Sequence, residues 1–236
     1  MRVWLVVAMV VALTAGCGNG PIAHVGREPL TAVPTSTAPE PLQLSFSELR
    51  DALPLVADLY PWKVTMRCLS AKARCGQWDH GGRGAVLLAT GARDHGVSES
   101  LLVAAMRWPS PAAASEAVDR IRAVEARRYI GRFERAPRGT ATHYTTGESG
   151  RGELVELARG GWSGFRRSTR FRYLLLPSGR RTRTASGVSE VLVRGRYTLH
   201  VQATRWPPEQ ARQTVEEQLT RLLAALAQGE PAVSGP

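Results

Sequence analysis

The chain has 236 residues, of which 43% are hydrophobic and 22% are charged, and this balance excludes a wholly disordered or a multi-spanning membrane protein. Its formal net charge is +11, and 29 of its 31 basic residues are arginine. A preference for arginine together with much alanine is typical of a GC-rich genome, so the charge by itself does not identify a partner. Nucleic acid, anionic lipid and wall phosphate all attract a basic protein, and the compartment decides between them.

The N-terminus has the pattern of an export signal. Arg2 precedes an uncharged apolar run of 11 residues, 3–13, which is too short to cross a hydrocarbon core of roughly 30 Å as a helix. The next residues, LTAGCG at 13–18, resemble the bacterial lipobox, with Thr14 in place of the usual Leu. The resemblance implies a lipoprotein signal peptide over 1–16 and a diacylglyceryl group on the thiol of Cys17. The alternative is an ordinary secreted protein with an unmodified cysteine.

Residues 17–43 are predicted to be the lipidated cysteine and a semi-extended tether, because the segment is rich in proline and threonine and has no helical or strand period. Two acyl chains anchor a protein stably, at about 0.8 kcal/mol per buried CH₂. We therefore expect the protein on the extracytoplasmic face of the cell membrane. There it meets anionic lipid headgroups and wall polymers, and nucleic acid is excluded as a partner. The polar segment 229–236 is predicted to be a disordered tail.

The cysteines fit an exported protein. Once Cys17 carries lipid, Cys68 and Cys75 remain as an even pair in an oxidising compartment, and we expect them to form a disulfide. Closing this loop constrains the unfolded chain by roughly 2.5 kcal/mol on the entropy model. A metal site needs more ligands, but the sequence has no second cysteine pair and no histidine pair at i, i+4. We expect no metal and no cofactor.

The remaining segment, 44–228, predicts an extracytoplasmic α+β domain with a mostly antiparallel sheet and helices packed on one face. It opens with Ser45-Phe46-Ser47-Glu48, a capping-box pattern that predicts a short helix ending before Pro54. Strands are predicted at 62–68, 85–90, 101–107, 153–158, 165–176, 188–194 and 199–205. Turns at 91–96 and 194–196 join two of the hairpins, and a long helix follows each Trp-Pro.

An internal duplication is predicted from the similarity of residues 101–109, LLVAAMRWP, and residues 199–207, LHVQATRWP, at an offset of 98. The helices that follow continue the match, with one apolar stripe in each half. The halves are predicted at about 44–135 and 140–228. The two stripes are Ala113, Ala117, Ile121 and Val124 in the first half, and Ala211, Val215, Leu219 and Leu222 in the second.

The order of these features resembles actinobacterial surface lipoproteins and the extracellular sensor domains of PknH-type receptor kinases over about 44–228. That order is a lipobox, a Pro/Thr-rich tether, a short helix, a cysteine pair, and a hairpin whose strand leads into an Ala-rich helix, repeated. The resemblance implies a non-enzymatic binding or sensor-type domain, and it assigns no functional residue. The alternative function is a carrier of lipid or another envelope component in an apolar cavity.

No catalytic constellation is recognisable. Residues 161–165, GWSGF, lack the second glycine of a nucleophile elbow, and the five histidines are scattered. We therefore expect a protein that is not an enzyme. The strongest local anomaly is 159–196, with ten arginines and one glutamate. Arg166, Arg170 and Arg172 would share one face of a strand, which predicts a docking surface for anionic headgroups or wall-polymer phosphates. A solvated outer face is the alternative.

Overall fold

The computed structural model describes residues 42–54, 59, 62–68, 82–94, 97–136, 138–139, 144–145, 147–174, 184–205 and 209–228. All of them fall within the unit Glu40–Pro236. The predicted signal peptide, almost all of the predicted tether and the predicted tail lie outside the described residues, as do Cys17 and Cys75. The predictions made for those segments therefore stay predictions.

The described residues form three helices and ten strands. The helices are α1 (Phe46–Asp51), α2 (Pro111–Tyr129) and α3 (Glu209–Gln228). The strands are β1 (Lys63–Cys68), β2 (Arg83–Asp94), β3 (Val97–Arg107), β4 (Gly131–Arg135), β5 (Arg138–Gly139), β6 (Tyr144–Thr145), β7 (Gly147–Arg159), β8 (Trp162–Leu174), β9 (Ala185–Arg194) and β10 (Tyr197–Arg205). Eight strands form one antiparallel sheet in the order β1-β2-β3-β10-β9-β8-β7-β4, and β5 pairs with β6.

The predicted α+β class and antiparallel sheet are confirmed, and the differences are local. β2 continues through most of the turn predicted at 91–96, with a register irregularity between Thr90 and Arg93. β4, β5 and β6 were not predicted, because they are short and carry no alternation of apolar and polar residues. α1 begins at the capping box as predicted, with the Ser45 side chain accepting from the backbone N–H of Glu48. α2 begins two residues later than expected, at Pro111, with Ser110 as its cap.

The two long helices lie on opposite faces of the sheet, so the prediction that the helices cover one face was wrong. Val103 packs in the hydrophobic cluster that contains the buried residues of α3, whereas Leu102 packs in the cluster that contains buried residues of α2. Successive strand residues point to opposite faces. The physical reason is the continuous apolar run of β3, which is buried on both faces and needs a helix on each side.

The predicted internal duplication is not confirmed. β3 and β10 do pair, with Val103 directly opposite Val201, its counterpart at the predicted offset. A twofold axis through this pair and perpendicular to the sheet exchanges the two strands, but it returns each face of the sheet to itself. Since α2 and α3 lie on opposite faces, that axis does not exchange the helices.

The two helical stripes differ accordingly. All four predicted stripe residues of α3 are buried. In α2, Ala117 is buried as predicted, but Val124 is 39% exposed and its neighbour Glu125 is buried instead. The buried face of α2 is thus rotated by about one residue toward Ala114 and Val118, because the end of this helix accommodates a buried ion pair rather than an apolar contact.

The chain enters the folded unit through Leu44, which is held by a buried tyrosine at the start of β10. The backbone N–H of Leu44 donates to Tyr197 Oη at 2.7 Å, and this hydroxyl donates to the Leu44 carbonyl oxygen at 3.0 Å. Both residues are almost completely buried. The end of the predicted tether is therefore fixed at the β9–β10 turn.

Candidate anion-binding surface

The face of the sheet that carries α3 is uncovered at one side. α3 packs on β9 and β10, and α1 packs on β2 and β3. Arg159 and Arg166, near one end of β7 and β8, reach toward α3 through ion pairs with Glu216. Toward the opposite ends of these two strands and on β4, most side chains on this face are exposed or partly exposed.

Three arginines cross this uncovered side in one line, and we call them the arginine row: Arg132, Arg151 and Arg170. Arg132 on β4 pairs directly with Arg151 on β7, and Arg151 pairs directly with Arg170 on β8. Residues directly opposite each other on antiparallel strands point to the same face, with Cβ atoms about 4.5–5.5 Å apart. The row therefore presents three adjacent guanidinium groups.

The register of the arginine row is set by a two-residue turn. Gly160 and Gly161 join β7 to β8 with φ of 52° and 79°, the left-handed conformations that a type I′ hairpin requires. The turn places Arg159 opposite Trp162 and, further along the hairpin, Arg151 opposite Arg170. Sequence reasoning missed Arg132 and Arg151. The Gly160-Gly161 pair could have predicted the hairpin turn and so the position of Arg151 opposite Arg170. No sequence signal indicated the position of Arg132, because its strand was not predicted.

Each member of the arginine row is exposed. Within the part of the chain that the structure describes, no carboxylate forms an ion pair with any of the three. Two acidic residues share this face, Glu134 on β4 and Glu153 on β7, and both are exposed. Like charges directly opposite each other destabilise a sheet, so the row reduces the stability of the fold while it remains unoccupied.

The arginine row lines a broad cavity of about 910 Å³ that also includes Arg172. Arg172 was predicted on this face and lies there, with its Nε donating to Thr184 Oγ1 at 2.9 Å. Ser149, opposite Arg172 on β7, contributes a hydroxyl to the lining. Guanidinium forks and hydroxyl groups together suit phosphate oxygens, which accept several hydrogen bonds at once.

Arg166 is placed differently from Arg170 and Arg172, although all three share the strand face predicted for them. Arg166 is 7% exposed, and its guanidinium contacts Glu190 on β9 and Glu216 on α3, each at 2.5 Å. Burial alone would raise the pKa of Glu216, but Arg159, Arg166 and Arg212 lower it on balance. Arg166 is therefore part of a buried ion-pair network and is not available to a ligand.

The next residue, Arg167, makes an equivalent contact on the opposite face. Its Nε lies 2.5 Å from Glu125 Oε2 on α2, and its NH1 donates to Thr169 Oγ1 at 2.9 Å. The guanidinium also stacks over the ring of Tyr129 at 4.6 Å. Burial raises the pKa of Glu125, and the nearby arginines offset this only in part. Phe171 is also buried on this face.

The remaining predicted site residues are only partly described. Cys68 ends β1, whereas Cys75 and Cys17 lie outside the described residues, so the disulfide and the lipidation stay predictions. His200 is buried on β10 next to Ser189, with 3.0 Å between Nε2 and Oγ. In the described ranges, no group of three or more His, Cys, Asp or Glu side chains is arranged to hold a metal ion. None of the helices described is long and apolar enough to cross a membrane.

Comparison with known proteins gives one match. No family model and no curated protein sequence matches the chain. Among solved structures, the extracellular domain of PknH from Mycobacterium tuberculosis matches with a TM-score of 0.49 and 8% sequence identity, covering 78% of this chain and 97% of that chain. The chain is thus similar in structure to the kind of domain that its order of sequence features resembles.

Proposed function

We propose that this protein is a non-enzymatic, extracytoplasmic binding domain that holds a phosphate-bearing polyanion on its arginine row. The observation that carries the proposal is the direct opposition of Arg132, Arg151 and Arg170 without a carboxylate partner among the described residues. Such an arrangement lowers stability unless an anion occupies it. A binding role accounts for three arginines that lie directly opposite one another and form no described ion pair with Glu134 or Glu153, the acidic residues on the same face.

The width of the row favours a ligand with several anionic groups. Neighbouring strands lie about 4.8 Å apart, so the outer two arginines of a three-strand row are separated by about 10 Å at their backbones. A single phosphate contacts one or two guanidinium groups at this spacing. A polymer of phosphodiesters, or several lipid headgroups side by side, contacts all three.

The alternative function, a carrier with an apolar cavity, is less well supported, because three cavities lined by described residues each contain at least two arginines. Anion binding is therefore the function that the described surface supports best.

Binding is tested with the predicted mature chain, residues 17–236 carrying Cys17→Ser, and two probes. Phosphatidylglycerol vesicles present lipid headgroups, and soluble inorganic polyphosphate presents polymer phosphates. Arg151→Gln/Arg170→Gln removes two cations worth about 1 kcal/mol each, so its affinity should fall about 30-fold at low salt. Added salt should abolish the difference.

The matched control is Arg127→Gln/Arg221→Gln, which makes the same change in net charge at exposed positions of α2 and α3. Equal losses for both double variants would show that binding depends on net charge alone, and the proposal would be wrong. The probe that binds more tightly identifies the source of the phosphate.

Membrane anchoring through Cys17 is a separate part of the proposal. It is supported by the apolar run before a lipobox-like sequence. In the natural host, Cys17→Ala should move the protein out of the membrane fraction. If the variant stays with membranes after a salt wash, lipid at this position is not the anchor.

The disulfide between Cys68 and Cys75 is proposed on the same grounds of export. Peptide mapping of the exported protein without reduction should yield the two cysteines in one linked species. Recovery of both as free thiols would contradict the proposal.

A further inference from the structure

A second group of arginines surrounds a smaller cavity at the end of the sheet where the chain enters the fold. The cavity measures about 570 Å³. Its cations come from three places in the chain: Arg83 begins β2, Arg107 ends β3, and Arg196 lies in the β9–β10 turn. This cluster is separate from the arginine row, since the two cavities share no lining residue.

Backbone pairing brings these three arginines together. Arg83 is directly opposite Arg107 in the β2–β3 ladder. The backbone N–H of Trp108 donates to the carbonyl oxygen of Arg196 at 2.8 Å, which fixes the turn beside the end of β3. No ion pair involves any of these arginines within the described ranges. They form a second set of like charges that is held by the fold rather than by counter-charges.

Glu48, an acidic residue near this cluster, already forms hydrogen bonds within its own helix cap. Glu48 lines an adjoining cavity together with Arg107 and Arg196. Its carboxylate accepts from the backbone N–H of Ser45 at 2.5 Å within the capping box, and hydrogen bonds from Ser45 lower its pKa. It therefore serves the start of α1.

The wall of the cavity between these arginines is apolar. Trp108 is 5% exposed, and its Nε1 donates to Thr198 Oγ1 at 3.0 Å, so its polar atom is already satisfied. Leu49 is completely buried, and Phe46 and Pro109 complete the apolar lining. A polyanion gains nothing from such a wall, whereas a hydrocarbon group does.

We propose that this cavity binds a single amphipathic anion, a molecule that joins one phosphate group to a hydrocarbon chain. The three guanidinium groups bind the phosphate oxygens, and the chain lies against Trp108 and Phe46. The molecule enters as a monomer, free in solution or taken from a membrane, and the site does not depend on occupation of the arginine row.

The test is isothermal titration calorimetry of residues 17–236 carrying Cys17→Ser with octyl phosphate below its micelle concentration. This chain retains the whole unit Glu40–Pro236. We expect binding of one molecule per chain. Arg107→Gln should weaken it about tenfold or more, since a hydrogen bond to a charged group contributes about 1.5–3 kcal/mol. Arg127→Gln, an exposed position on α2, should leave the affinity unchanged.

A chain-length series separates the anion from the hydrocarbon. From butyl to octyl phosphate, affinity should rise about fourfold for each CH₂ that becomes buried, and inorganic phosphate should bind most weakly. Octyl glucoside, which has the chain without the charge, should not compete. The proposal is overturned if octyl phosphate does not bind at millimolar concentration, if affinity is independent of chain length, or if Arg107→Gln behaves like Arg127→Gln.

A lipid-transfer experiment distinguishes a membrane source of the ligand from a soluble one. Vesicles that contain phosphatidic acid are mixed with the protein and then separated from it. Transfer of the phospholipid to the soluble protein, lost in Arg107→Gln, supports a membrane source. Binding of octyl phosphate without such transfer supports a soluble ligand of the same chemistry.

Discussion

Replacement of Glu190 should strongly destabilise the fold. Its side chain is completely buried on β9, opposite Arg166 in the β8–β9 ladder. Arg166 donates to Glu190 Oε1 at 2.5 Å, and Arg159 lies 3.8 Å from Oε2. With Glu216 and the exposed Arg212, which lies 4.0 Å from Glu216, the cluster holds three positive and two negative side chains. Glu190→Gln preserves the shape of the side chain and removes the only completely buried negative charge of this cluster.

Removing one partner of a buried ion pair costs about 3–5 kcal/mol. Arg166 keeps Glu216 as a second partner, so we expect a loss near the lower end, about 3 kcal/mol. Urea unfolding followed by circular dichroism measures this loss as a shift of the midpoint at unchanged slope. Salt should have little effect on it, because buried charges are poorly screened.

A double-mutant cycle tests the cause. Arg166→Met/Glu190→Leu removes both charges and leaves the Arg159–Glu216 pair at 2.8 Å. Replacing a whole buried pair by apolar residues is often close to neutral, so the double variant should be more stable than Glu190→Gln. A loss below about 1 kcal/mol for the single variant would refute this account. So would a double variant that is as unstable as the two single changes added together.

Three further predictions address other parts of the molecule. Arg151→Gln should raise the free energy of unfolding by about 0.2–1 kcal/mol at low salt, because it relieves repulsion within the arginine row, and an unchanged or lower value would contradict this. Tyr197→Phe should cost about 2 kcal/mol and expose the amide of Leu44 to hydrogen exchange, since both hydrogen bonds to that residue disappear; retained protection would argue against it. Glu216 has a lowered pKa in the folded state, so its ionised form stabilises the fold above the ordinary value of 4.5, and this contribution is lost as the pH falls through the folded-state pKa. Between pH 6 and pH 3, the free energy of unfolding should therefore fall less steeply for Glu216→Gln than for the unchanged chain. Parallel pH profiles of the two proteins would contradict this prediction.

The central strands could be predicted because their signals are local. β3 and β10 carry long apolar runs, and Gly195 marks the turn between β9 and β10. The face on which each helix lies could not be predicted in the same way. The stripe of α3 identifies which residues point at the sheet, but it does not determine on which side of the sheet the helix packs. Only the continuous apolar run of β3, which is buried on both faces, indicated that each face of the sheet needs a helix.

The candidate site was predicted in part. Alternation along β8 correctly placed Arg170 and Arg172 on one face. The burial of Arg166 could not be read from that pattern, because its partners Glu190 and Glu216 lie 24 and 50 residues away. Long-range ion pairs depend on the sheet order and on the position of α3, and neither follows from periodicity.

The adjacent residues Arg166 and Arg167 also determine how β8 aligns with its neighbours during folding. β8 is rich in polar residues, so apolar patterning alone specifies its alignment only weakly. A slip of one residue turns each side chain to the other face and puts one of the two arginines in the other's place, so either Glu125 or Glu190 loses its nearest counter-charge in the interior. Misaligned hairpins are thereby disfavoured by several kcal/mol. The two adjacent arginines therefore act against wrong strand pairing during folding and against the aggregation that follows from it.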